Sequence, residues 1–344
     1  MAHYDDDVYA ITKAYSLRGS LLDRTFFKLA SGFTSVEELA ERLRSTHYSK
    51  SLGGGRITRA RDLEKALVAE LVDVHYRMLR LYPLDGVLTA LFERYTSWDV
   101  KTVLKGKAVG QPYEQILDSL YMRAEELLGR RDLVVRAAAA KDLAAAAMGL
   151  SGTEYYEVAQ EGLKLYESTG DPSSFDVVID RFTVDNIARA ALAAGEDEDT
   201  QLGRMVLTMV DEYNLGLALR HQVLGIPAQQ AIQLLAVRGN LYLQADSLRR
   251  LISEGAQPSS YADLLRRTPY GAYLKGEDVN SLLGSVIGFR LHASELAWSS
   301  AEPLVLVAII FLLENEVRNL SAVAFGIENG VPRDEIYALL RFPE

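Results

Sequence analysis

The chain has 344 residues, no cysteine and a formal net charge of −10. That excludes disulfides, thiolate metal sites and cysteine nucleophiles, and it argues against nucleic acid, whose binding rests on a basic footprint. With 49% apolar and 24% charged residues, the composition is that of a soluble globular protein with room for two or three domains.

The opening decapeptide MAHYDDDVYA is acidic and lacks the basic and apolar regions of a signal peptide. Val8 to Leu22 carries apolar residues at helical spacing, with Lys13 and Arg18 before Gly19. Ser35-Val36-Glu37-Glu38 reads as a capping box, with Leu39 and Leu43 on one face behind it. After Gly53-Gly54-Gly55, a long helix from about Arg59 to Leu81 aligns Leu63, Leu67, Leu71 and Val74, and Pro83 and Gly86 break it. One further helix through Leu88, Leu91, Phe92 and Tyr95 is expected to run to Gly110. Asp132 to Ala147 is mostly alanine and predicts a helix. Gly170 to Ser174 is a turn, Phe175 to Ala194 a helix and Gly195 to Asp199 an acidic loop. Gly255 to Ser260 reads as a loop, with Ser260 and Asp263 as a cap, and Gly276 to Asp278 as a turn. The longest apolar run, Pro303 to Leu313, is too short for a bilayer, which needs about 20 residues, so it predicts a buried core helix. No strand pattern persists, and the fold class is all-α.

Three stretches repeat. Trp98 to Pro112, Tyr213 to Pro227 and Arg318 to Pro332 align without a gap, placing Asp99, Asn214 and Asn319 in one register and Gly110, Gly225 and Gly330 in another. Gly-x-Pro is a corner between helices: glycine closes the first in a left-handed conformation, and proline opens the second in its first turn. A second landmark recurs upstream: Thr46-His47-Tyr48, Thr153-Glu154-Tyr155 and Thr268-Pro269-Tyr270, with Leu43, Leu150 and Leu265 three residues before each threonine. Thr46 to Pro112, Thr153 to Pro227 and Thr268 to Pro332 span 66, 74 and 64 residues. Two landmarks in constant order divide the chain into three tandem helical units, 1–125, 126–236 and 237–344.

No catalytic constellation emerges. His3, His47, His75, His221 and His292 include no pair three or four apart, and there is no HExxH, phosphate-binding loop or GxSxG elbow. Asp5-Asp6-Asp7 and Glu196 to Asp199 are contiguous runs without a basic clamp, so solvated helix ends describe them better than a magnesium–diphosphate site. Arg18, Lys101 and Arg318 read either as groups facing a central axis between the units or as capping and pairing groups, and Asp99 and Asn319 read as caps or pairing groups. No catalytic, cofactor-binding or metal-binding residue is assigned, and no cofactor is expected. The repeat alone also fits an α-helical scaffold that binds protein or peptide partners.

The corners, taken with Tyr9 and the Arg18-Gly19-x-Leu21-Leu22 segment, resemble the central-stalk C subunits of A/V-type ATPases, relatives of the eukaryotic V-ATPase d subunit. Asp180-Arg181-Phe182 matches that family's Asp-Arg-aromatic signature. Asp211 to Leu215 and Glu316 to Leu320 match its Glu-x-x-Asn-Leu, from which Ser97-Trp98-Asp99-Val100 departs. The resemblance implies a funnel of three helical domains about a pseudo-threefold axis. It implies a rotor part rather than an enzyme, peripheral on the cytoplasmic face of the membrane. Such a part would join the D and F subunits of the shaft to the proteolipid ring, touch the membrane only through that ring, and serve proton or sodium transport.

Overall fold

The structure, a computed structural model, describes residues 2–82 and 86–343, with side chains from Val8 onward. The side chains of Asp5, Asp6 and Asp7, and the predicted helix breaker Pro83, lie outside the described residues. Among the described residues every regular element is a helix. The chain divides into two compact units. One joins Met1–Leu84 to Leu291–Glu344, and the other is Asp85–Arg290.

The unit made from both chain ends is built on two long helices, Ala60–Leu81 and Val305–Glu328, packed along each other. Leu63, Leu67, Leu71 and Val74 all face inward, and so does the whole run Val305–Leu313, as a core helix requires. No described helix is long and apolar enough to cross a membrane. Helix Ala2–Arg18 lies against the same pair, but it buries the small Ala10 and Ala14 and leaves Val8 and Tyr15 exposed.

Asp85–Arg290 contains two apolar clusters. The first gathers Val100, Leu104 and Ile116 with Tyr155, Phe175 and Ile179. The second gathers Leu215, Ala218 and Ile226 with Tyr270, Leu282 and Val286. Each cluster thus combines one corner with the Thr-x-Tyr landmark that follows it in the chain, whereas the sequence grouped each landmark with the corner downstream.

Several local expectations change. The alanine-rich stretch forms two helices, Arg131–Ala138 and Leu143–Met148, because Asp142 caps the second by accepting the Ala145 N–H at 2.8 Å. The segment before Gly110 is likewise two helices, Val87–Phe92 and Arg94–Ala108. Helix Pro258–Arg266 starts two residues before Ser260, with proline preset for its first turn, while Asp263 pairs with Arg266 at 2.7 Å. Ser35 does cap Val36–Leu43 through the Glu38 N–H, but the Glu38 carboxylate reaches back to Thr34 rather than to Ser35.

Candidate functional site

The three corners share one geometry. Gly110, Gly225 and Gly330 have φ of 70°, 66° and 67°, a left-handed conformation that only glycine adopts without strain. The amide after each glycine bonds back to the carbonyl five residues earlier: Gln111 to Gly106 at 2.8 Å, Ile226 to His221 at 2.8 Å and Val331 to Gly326 at 2.9 Å. Each proline stands one place earlier than expected, as the N-cap with extended ψ of 151°, 144° and 142°. Its carbonyl accepts the first helical bond, from Ile116, Ala231 or Ile336.

Behind each corner the chain returns to the helix it left, and the repeated Asp or Asn holds it there. Asp99 Oδ1 accepts the Tyr121 N–H at 2.8 Å, 22 residues on. Asn214 grips both backbone groups of Ala236, also 22 residues on, each at 2.8 Å. Asn319 does the same to Arg341, again 22 residues on, at 2.6 and 3.0 Å. The sequence reading took Asp99 and Asn319 as capping or pairing groups; in the structure all three side chains pin backbone 22 residues further on. Asn214 and Ala236 are both fully buried, so Asn214→Ala strands an amide and a carbonyl away from water. The expected loss is about 3 kcal/mol of unfolding free energy in urea titrations, and a change below about 1 kcal/mol would show that the pin is dispensable.

The Thr-x-Tyr landmarks are alike in detail. Thr46, Thr153 and Thr268 donate their hydroxyls to Leu43, Leu150 and Leu265 at 2.6 to 2.8 Å, and each hydroxyl oxygen accepts the amide of its tyrosine at 3.2 to 3.3 Å. That turn directs Tyr48, Tyr155 and Tyr270 inward, where they are buried to 1% exposure or less. Each phenol meets a corner helix of another copy. The second landmark sits on the first corner: Tyr155 reaches Ser97 at 3.3 Å and the Glu93 carbonyl at 3.4 Å. The third sits on the second, where Tyr270 donates to Asp211 at 2.7 Å. The first sits on the third, where Tyr48 donates to Glu316 at 2.9 Å.

The acceptors differ because the neighbouring backbone differs. After Ala236 the chain is irregular, and Asp211 collects the free amides of Leu241, Tyr242 and Leu243 at 2.8 to 3.1 Å as well as the phenol. After Tyr121 it is helical, Met122–Leu128, so those amides are spent in the helix and a hydroxyl, Ser97, suffices. Glu125 on that helix is buried; burial pushes its carboxyl up, while the Thr96 hydroxyl and Arg130 pull it down. Glu316 takes the Leu22 amide together with Tyr48, which fixes the end of the Arg18-Gly19-x-Leu21-Leu22 segment.

Of the charged groups singled out in the sequence, Arg18 pairs with Glu295 at 2.6 Å and lies over the Trp298 ring at 4.8 Å. Lys101 pairs with Asp180 at 2.6 Å, Arg181 with Glu161 at 2.6 Å, and Phe182 packs edge-on against Tyr155 at 5.5 Å. Arg318 is half-buried on the third corner helix. A cleft of about 450 Å³ opens beside Trp98 and Tyr121, but its lysines, Lys101 and Lys105, are already ion-paired with Asp180 and Asp176. No group of residues able to hold a metal ion occurs among the described residues. Sequence reasoning missed the seats of the three tyrosines. The signal was present in Asp211 and Glu316, each three places before its pinning asparagine.

Among the described residues every regular element is a helix, and each repeated corner helix seats the tyrosine of a different Thr-x-Tyr copy. The chain belongs to the ATP synthase (C/AC39) subunit family, which it matches over residues 10–339. It is similar to the A-type ATP synthase C subunit of Methanocaldococcus jannaschii, 27% identical over 89% of this chain and 79% of that protein. It is also similar to the corresponding C subunits of Methanosarcina acetivorans, 26% identical over 93% and 88%, and of Pyrococcus horikoshii, 26% identical over 93% and 86%.

Proposed function

We propose that this chain is a non-catalytic rotor component of an A/V-type rotary ATPase or ATP synthase. It joins the D and F subunits of the central shaft to the proteolipid ring, peripheral on the cytoplasmic face of the membrane. Its three helical units, 1–125, 126–236 and 237–344, close as a funnel about a pseudo-threefold axis. The observation that carries this reading is the order of the tyrosine seats: second on first, third on second, first on third. An open solenoid would leave the first landmark and the last corner without partners. Family membership and the likeness to archaeal C subunits supply the complex. A torque coupler needs stiffness, and buried pins and seats in close-packed interiors supply it.

The test uses the full chain with the D and F subunits of its own organism. It is expected to co-elute with the D–F shaft in size-exclusion chromatography and to hydrolyse no ATP. Small-angle scattering should report a compact particle. ATP turnover by the isolated chain, an extended scattering profile, or failure to bind either shaft or ring would overturn the reading.

A further inference from the structure

Helix Ala2–Arg18 carries two apolar faces, and its own chain covers one of them. It lies against the long pair Ala60–Leu81 and Val305–Glu328, where it buries Ala10 and Ala14. The other face carries Val8, Ile11 and Tyr15 at steps of three and four, which stacks them along one line of an α-helix. Val8 is 48% exposed, Tyr15 is 38% exposed and Ile11 is half-buried. Thr12, on the same side of the helix, spends its hydroxyl hydrogen on the Val8 carbonyl at 2.7 Å.

Steps of three and four are the spacing of a seam between paired helices, with Val8 and Tyr15 at a and Ile11 at d. Counted along the sequence, the same register gives Tyr4 the preceding d position. Single exposed apolar residues are ordinary; an exposed row in heptad register is the pattern of a helix made to take a second one. The far end of the row is already rigid. Tyr15 donates its phenol to the Trp298 carbonyl at 2.8 Å and meets that indole edge-on at 5.0 Å. Arg18, at the next d position, lies over the same indole at 4.8 Å and pairs with Glu295 at 2.6 Å. A partner that packs on Tyr15 meets a ring ordered by folding, so binding costs less entropy.

The flanks of the seam are acidic. In the same register Asp5 and Asp7 fall at e and g, the positions that set partner choice in paired helices. Two copies paired in parallel would bring two acidic ends together, which like-charge repulsion opposes. A helix with lysine or arginine at those positions gains instead. We infer that helix Ala2–Arg18 is a docking surface for a helix of another protein, one with aliphatic side chains at a and d and basic side chains at e and g. Nothing in this rests on the rotor reading, because the test uses the full chain without shaft or ring.

The experiment titrates the full chain with a synthetic peptide of about three heptads, long enough to hold a helix once paired. It carries leucine at a and d and lysine at e and g, and a twin peptide carries glutamate at e and g. Fluorescence anisotropy of the labelled peptides reads binding. The lysine peptide is expected to bind about tenfold more tightly than its twin at low salt, and the difference should shrink as salt is raised. Val8→Ser, a neutral change at an exposed position, should weaken the lysine peptide about tenfold. Leu29→Ser, which removes an equally exposed apolar side chain from helix Arg24–Ala30, should leave binding unchanged. Asp5→Asn with Asp7→Asn should abolish the preference between the peptides. An unchanged urea midpoint would certify that each variant is folded. No binding of either peptide, equal affinity for the two, or undiminished binding by Val8→Ser would overturn the docking surface. Sedimentation that shows the chain pairing with itself through Val8 would also overturn it, by making a second copy the occupant.

Discussion

Asp211→Ala is expected to lower the unfolding free energy by about 5 kcal/mol, a large share of the 5–15 kcal/mol that holds a typical domain. The carboxylate accepts three backbone amides and the Tyr270 phenol. Stranding each donor costs about 2 kcal/mol, partly offset by about 3 kcal/mol gained by no longer burying a charge. Asp211→Asn leaves one oxygen among four donors and should fall between the two. The pH dependence has a definite sign. Burial pushes the Asp211 carboxyl up to about 6 from an ordinary 3.8, while the amides of Tyr242, Leu243 and Leu241 and the Tyr270 phenol pull it down. A folded-state value above the unfolded one means the fold binds this proton more tightly. The contribution of Asp211 therefore grows as pH falls from above 6 towards 3.8, by about 3 kcal/mol, and is lost as pH rises through 6. Urea unfolding at pH 7.5 and pH 5 should show the gap between the unsubstituted chain and Asp211→Asn widening on acidification. Parallel behaviour of the two would show that Asp211 does not titrate in this range.

The same residue shows how far the sequence could be read. Helical periodicity was legible because burial follows it: Leu63, Leu67, Leu71 and Val74 line one face, and Pro303–Leu313 leads into the core helix. Corners were legible because Gly-x-Pro acts locally, through glycine's left-handed conformation and proline's fixed φ. What stayed hidden depends on contacts between distant residues. Asp99, Asn214 and Asn319 stood out as a register, but a side chain that pins backbone 22 residues away leaves no local signature. Thr-x-Tyr was visible as a repeat, yet nothing in it tells which corner its tyrosine meets. The sequence paired each landmark with the corner ahead of it, whereas packing pairs it with another copy's corner. For Tyr48 that partner lies near the opposite end of the chain. A carboxylate at the seat is needed where free amides accumulate, as around Asp211, and not where the following segment is helical, as after Tyr121. The departure of the first copy from Glu-x-x-Asn-Leu thus has a structural reason.

Gly326→Leu is expected to cost about 3 kcal/mol, with a large part recovered when Ile336→Ala is added. At this position a Cβ would lie 2.6 Å from Ile336 Cγ1, far inside van der Waals contact. Replacing a mid-helix glycine gains up to about 1 kcal/mol in helix propensity, which overpacking a tight core position outweighs. The first corner has the same pair, Gly106 with Ile116 at 2.8 Å. The second holds the opposite combination in the same registers, His221 and Ala231, both buried. Each corner thus meets one requirement, a large and a small side chain where the two helices cross, by one of two routes. Ala231→Ile alone should then destabilise the second corner by about 2 kcal/mol. Ala231→Ile combined with His221→Gly should come closer to the unsubstituted chain than the sum of the single changes predicts. A double-mutant cycle in urea unfolding reads this directly: coupling above about 1 kcal/mol supports complementarity across the corner. Strict additivity would mean that the two registers do not meet in the second copy as they do in the first and third.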